Sequence, residues 1–199
     1  MKRNRLLILA ITAVLAFSAT TSAIACTGKK VVIGRTATLQ QELLAQLLMV
    51  LISERTGTTV NEVVFDSPDA AHAALLKGDT DLGLEYTGVI GVSLLGQAPV
   101  LDAASLYSAV RKGYSNDHNL MVLQPPGFEN RALAPAGSAN QAVVILRKET
   151  WKKFPALDRL IEKLSGQIDD ATMQGLEEKA AAGDVRKVAS DFLRAKKLY

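Results

Sequence analysis

The feature that most constrains this chain is an alternation of two hydrophobic periods within residues 31–86. Residues 31–34, Val-Val-Ile-Gly, form a short β-branched run closed by glycine, which reads as a buried strand. Thr38 and Gln41 then have the spacing of a capping box, with Thr38 as cap and Gln41 reaching back. Leu39, Leu43, Leu47, Leu48, Leu51 and Ile52 recur at helical spacing until Gly57 stops the helix. Residues 59–65 read as a second strand. Ser67 and Pro68 open a second helix as cap and first helical residue, and Gly78 ends it. Residues 81–86 read as a third strand. Two crossovers in some 55 residues predict an α/β fold, because parallel neighbours need a helix between them.

The remainder extends the pattern. Residues 88–96 predict a short helix, 102–114 a longer one, 119–123 a fourth strand and 141–147 a fifth. Pro125, Pro126 and Gly127 interrupt any regular element. Residues 131–140 are rich in alanine, glycine and proline and lack periodicity. The tail is helical, with one stripe on Leu157, Leu160, Ile161 and Leu164. Asp169–Asp170 and Asp184 begin further helices.

The first 25 residues have the plan of a secretory signal. Lys2, Arg3 and Arg5 precede an apolar stretch over residues 6–17, and small residues end at Ala25. That stretch falls short of the about 20 residues a spanning helix needs. Cys26 follows directly and is the expected lipidation site of an exported lipoprotein. Plain cleavage after Ala25 is the alternative. Residues 26–30 read as a linker. Without the signal, the chain keeps 20 basic and 20 acidic residues, so it lacks the basic excess of a nucleic-acid binder. One cysteine rules out an internal disulfide and a zinc site built on several thiolates.

Motifs for catalysis are missing. Residues 91–95 begin like a nucleophile elbow but lack its closing glycine. No HExxH or glycine-rich phosphate loop occurs. His72 and His118 read as an ordinary helix histidine and a loop histidine. The reading is non-catalytic, with no cofactor and no metal. Glu85-Tyr86-Thr87-Gly88 stands apart, because it ends the third strand, and ligands of open α/β sheets collect at the carboxyl ends of strands. A tyrosine there can turn its ring face to a cation.

Around that tetrapeptide the chain resembles the solute-binding proteins of quaternary-amine ABC importers (glycine betaine, choline, proline betaine). Four segments carry the resemblance: residues 32–48, with Ile33, Gly34 and Gln41; residues 65–88, with the Glu-Tyr-Thr-Gly signature; residues 123–130, with Pro126 and Phe128; and residues 143–199, clearest at Ile168-Asp169-Asp170. The resemblance implies a periplasmic-binding-protein-like (type II) fold: a mostly parallel five-stranded sheet with helices on both faces. It implies ligand contacts from Tyr86, Glu85, Gln41 and Thr87, delivery to a membrane permease, and a place in the periplasm or on the outer face of the cytoplasmic membrane.

The departures shape the expectation. Residues 31–199 would form one lobe, with residues 131–141 standing in place of the second. Ala37 and the Asp66-Ser67-Pro68 turn replace residues of the family's ligand box. One ring on an open surface contributes only about 0.5–1 kcal/mol of cation–π energy, so binding by a bare lobe is expected to be weak. Two alternatives follow: a ligand-independent interaction module, as a dimer or a permease-associated protein, or an enzyme on the same scaffold. A buried, perturbed acid or histidine near Tyr86 would favour the enzyme.

Overall fold

In the computed structural model, residues 30–199 are described. The expected signal (1–25), most of the linker and Cys26 lie outside them. The helix starts and stops read from the sequence set up the first half. Strand β1 is Lys30–Thr36, helix α1 Leu39–Thr56, β2 Thr59–Phe65, α2 Pro68–Lys77 and β3 Leu82–Tyr86. Gly57 and Gly78 take the left-handed conformation that ends α1 and α2 (φ 65° and 91°), which a side chain would resist. Ser67 caps α2, its side chain accepting from Ala70 N, with Pro68 in the first turn. Only half of the expected capping box forms. Thr38 accepts from Gln41 N at 3.3 Å, while the Gln41 side chain turns to Thr36.

A π-helical segment, Val89–Leu94, follows β3. Then come α3 (Ala103–Asp117), β4 (Leu120–Val122), a 3-10 turn at Arg131–Leu133 and β5 (Ala142–Arg147). Helices α4 (Lys148–Lys153), α5 (Leu157–Ile161), α6 (Asp170–Ala181) and α7 (Val185–Ala195) complete the chain.

Among the described residues the strands form one five-stranded sheet in the order β2-β1-β3-β5-β4. Strands β2, β1 and β3 are parallel neighbours, as their helical crossovers require. The mostly parallel sheet expected from the sequence is corrected here: β5 runs antiparallel to both β3 and β4, so the sheet is mixed. The cause is the return path. No helix separates β4 from β5, and residues 129 and 141 already bridge in antiparallel fashion before β5 begins. With no α-helical crossover to carry the chain back, β5 runs against its neighbours.

Helices cover both faces, as expected. Leu82, Leu84 and Tyr86 of β3 share one apolar core with Val31 and Ile33 of β1, Leu44, Leu48 and Leu51 of α1, and residues of α5, α6 and α7. On the opposite face Val143 and Ile145 pack with Leu75 of α2 and with Leu106, Val110 and Tyr114 of α3. The alternation of side chains along each strand divides the two cores. No helix among the described residues is long and apolar enough to cross a membrane.

Candidate functional site

Strands β1 and β3 end side by side, and their carboxyl ends place the site. Thr36 closes β1, Tyr86 closes β3, and the first turn of α1 stands beside them. The Tyr86 hydroxyl donates to Gln40 Oε1 at 3.3 Å. Asn130 Nδ2 donates to the same oxygen at 2.9 Å and to the Tyr86 hydroxyl at 3.4 Å. Gln41, one residue on, accepts from Thr36 N at 2.5 Å and from the Thr36 hydroxyl at 2.9 Å. Burial raises the Tyr86 hydroxyl above its ordinary pKa, and hydrogen bonds from Asn130, Thr38 and Gln41 pull the other way. A raised pKa keeps the ring a neutral phenol near pH 7.

A cavity of about 170 Å³ lies beside this network. Thr36, Gln41, Pro68, Leu84, Glu85 and Tyr86 line it, with Val89 and Leu133. One water needs only about 10–15 Å³, so the space admits something larger. Tyr86 is 3% exposed. The single ring is therefore not on an open surface: Leu133 of the Arg131–Leu133 turn and Pro68 of α2 help to wall it in.

Of the four expected contacts, Tyr86, Gln41 and Glu85 meet at this cavity, and Thr87 does not. Thr87 is fully buried and locks β3 to the start of β5. Its N–H donates to Gln141 O at 2.9 Å, and its hydroxyl accepts from Gln141 N at 3.0 Å. The carboxylate of Glu85 belongs to a buried cluster: His72 Nδ1 lies 3.1 Å from Oε1, and the Tyr114 hydroxyl donates to Oε2 at 3.4 Å. The rings of His72 and Tyr114 stack at 5.4 Å, and His118 meets Tyr114 edge-on at 5.5 Å. Burial, reinforced by the Glu85 charge, pushes the Tyr114 hydroxyl far up, so it stays a donor. His72 and Tyr114 do not line the cavity. The acid and the histidine are paired with each other and satisfy a buried polar pair, rather than presenting a general base to a ligand.

Sequence reasoning missed Gln40, Asn130 and Leu133 as parts of the site, whereas Pro68 belongs to the turn already placed in the ligand box. Gln40 was legible as the neighbour of Gln41 on the first turn of α1. Asn130 and Leu133 carried no local signal, because the return of the chain places them. A larger groove, about 460 Å³, lies at the far end of α1 between Ile52, Arg55, Phe154 and Leu160. It gathers none of the expected residues. No group of three or more acidic, histidine or cysteine residues among those described could hold a metal.

A family model described as the substrate binding domain of ABC-type glycine betaine transport systems (OpuAC) matches residues 29–134 and 131–195. The chain belongs to this family. A carnitine transport binding protein, OpuCC of Listeria monocytogenes, is 28% identical over 150 residues, covering 71% of this chain and 45% of that protein. The chain thus spans less than half the length of the curated relative it matches. Among solved structures, one titled as a glycine betaine/carnitine/choline ABC transporter superposes with a TM-score of 0.78 at 16% identity, covering 86% of this chain and 99% of that one. Apo YehZ from Escherichia coli gives 0.71 at 17% identity, with 87% and 100% covered. These similarities establish the periplasmic-binding-protein-like α/β fold. This substrate-binding domain keeps its candidate cavity at the carboxyl ends of the strands, where the sequence placed the Glu-Tyr-Thr-Gly signature.

Proposed function

We propose that this chain is the solute-binding component of an ABC-type importer for quaternary amines, a non-catalytic protein that holds its ligand and presents it to a membrane permease. The carrying observation is the cavity at Tyr86, walled by Gln41, Leu84, Val89 and Leu133. A buried neutral ring with apolar neighbours suits a trimethylammonium group, whose charge is spread over methyls and attracted to the ring face. Desolvation raises that attraction from about 0.5–1 to about 2 kcal/mol or more. Glu85 shapes the wall, and Thr87 holds β3 in place.

In this reading residues 1–25 direct export to the periplasm or the outer face of the membrane, and Cys26 carries a lipid anchor. Residues 31–199 form a single lobe, with residues 131–141 in place of a second. The two stretches matched by the family model meet at residues 131–134, which supports a seam there. Thermal unfolding of the purified protein with millimolar choline, carnitine, proline betaine and glycine betaine tests the function. A ligand that binds only the folded state raises the midpoint. A midpoint unmoved by all four in a cooperatively folding sample rejects the ligand-binding reading.

One observation favours a second reading, a ligand-independent interaction module. Leu101, beside the loop that would replace a lobe, is 79% exposed, and Leu133 within that loop is 43% exposed. Such apolar surface suits a partner, the permease or a second copy. Self-association in gel filtration without any amine, lost in Leu101→Glu, would support it.

A further inference from the structure

We infer that the cavity selects amines that carry a permanent positive charge and no carboxylate, of the choline type, over the zwitterions glycine betaine and carnitine. This rests on the reading of the cavity as a quaternary-amine site. It is carried by what the polar groups around the cavity already do. The Thr36 hydroxyl gives its hydrogen to Gln41 Oε1, and the Tyr86 hydroxyl gives its hydrogen to Gln40 Oε1. Asn130 Nδ2 is directed at Gln40 Oε1 and Tyr86. The hydroxyl hydrogens and the Asn130 amide are thus committed inside the protein, leaving the neutral amide of Gln41 at the wall to meet an anion.

Charge points the same way. The described residues that line the cavity include no lysine or arginine, and their one charged type is the acid Glu85. Arg35, next to Thr36, is engaged by Glu62 at 2.6 Å and by Thr36 O at 3.1 Å. A buried carboxylate without a cation or several donors is strongly disfavoured. A ligand hydroxyl has the opposite need. Its hydrogen requires an acceptor, and the Thr36 hydroxyl oxygen at the wall has lone pairs to take it. The volume agrees, since about 170 Å³ suits a compact head with a short tail.

Isothermal titration of the purified protein with choline, tetramethylammonium, glycine betaine and carnitine tests this. The expected result is that choline and tetramethylammonium bind at least about tenfold more tightly than either zwitterion, a difference of about 1.4 kcal/mol. Glycine betaine or carnitine binding as tightly as choline overturns the selectivity while leaving the amine site standing. No binding by any of the four removes the site itself and the selectivity with it. Leu133→Lys provides a gain-of-function check, because a half-exposed residue accepts a lysine without burying it. The variant should bind choline more weakly and glycine betaine more tightly, moving their ratio about tenfold. An unchanged ratio in a folded variant counts against a charge-based filter.

Discussion

The backbone N–H of Gly88 donates to Asn140 Oδ1 at 3.0 Å across 52 residues of sequence. The same oxygen accepts from Val89 N at 3.2 Å, and Asn140 Nδ2 donates to Asn130 O at 2.8 Å. One buried amide thus joins the start of the π-helical segment after β3, the strand-like segment before Arg131 and the entrance to β5. Asn140→Ala strands two donors and one acceptor. We expect a loss of about 2–3 kcal/mol, at the upper end for unsatisfied buried groups, read as a lower denaturant midpoint with an unchanged slope.

Gly88 faces the same joint. A Cβ there would lie 2.4 Å from the Ala139 carbonyl oxygen and 2.8 Å from Asn140 Oδ1. Backbone cannot retreat as a flexible side-chain end can, so Gly88→Ala should destabilise the fold by about 1–3 kcal/mol, the usual range for overpacking. Thermal unfolding checks this. A neutral substitution would show that the loop at residue 139 gives way freely.

Tyr86 separates ring from hydroxyl. Tyr86→Phe keeps the ring face and removes the donor to Gln40. It should hold choline within about threefold of the parent, since cation–π attraction needs only the face. Tyr86→Ala should abolish binding. Titration of both variants checks the pair, and equal losses would reject the ring as the binding element.

The core beneath the site is equally testable. Leu48 of α1 is fully buried against the sheet. Leu48→Ala should lose about 2–5 kcal/mol, the transfer and cavity cost of that truncation, in chemical denaturation.

Acid should weaken two helix starts. The Thr172 hydroxyl and N–H hold the Asp169 carboxyl below the usual range, and Ser105 does the same for Asp102. Each group is depressed in the folded state, so its stabilisation is complete above the unfolded pKa of about 4. It is lost as pH falls through the lower folded value. Asp169→Asn keeps an acceptor at the cap without titrating there. Its stability should therefore fall less than the parent's between pH 4 and 2.

The first three strands and two helices were legible because each boundary had a local cause: Ser67 and Pro68 at a start, Gly57 and Gly78 at stops. The direction of β5 was not, because it depends on where residues 129 and 141 meet and not on the apolar run at 142–147. The site divides in the same way. Tyr86 was visible as the last residue of a strand. The burial of Glu85 was not, since His72 and Tyr114 satisfy it from 13 and 29 residues away, on helices whose own patterns are ordinary. Thr87 illustrates a further limit: a small polar residue at a strand end serves a ligand or a neighbouring strand equally well, and here it serves Gln141.

The bridge between Glu129 and Gln141 puts the outgoing and incoming chain on adjacent rails, about 5 Å apart. Thr87, Asn130 and Asn140 fasten both rails to the sheet by themselves. The chain between the rails touches the frame through Leu133 at the cavity and through Ala139 N, which donates to Val100 O at 2.8 Å. A folded cassette with neighbouring termini can be spliced between them, or cut out, at the modest and slowly growing cost of closing a loop.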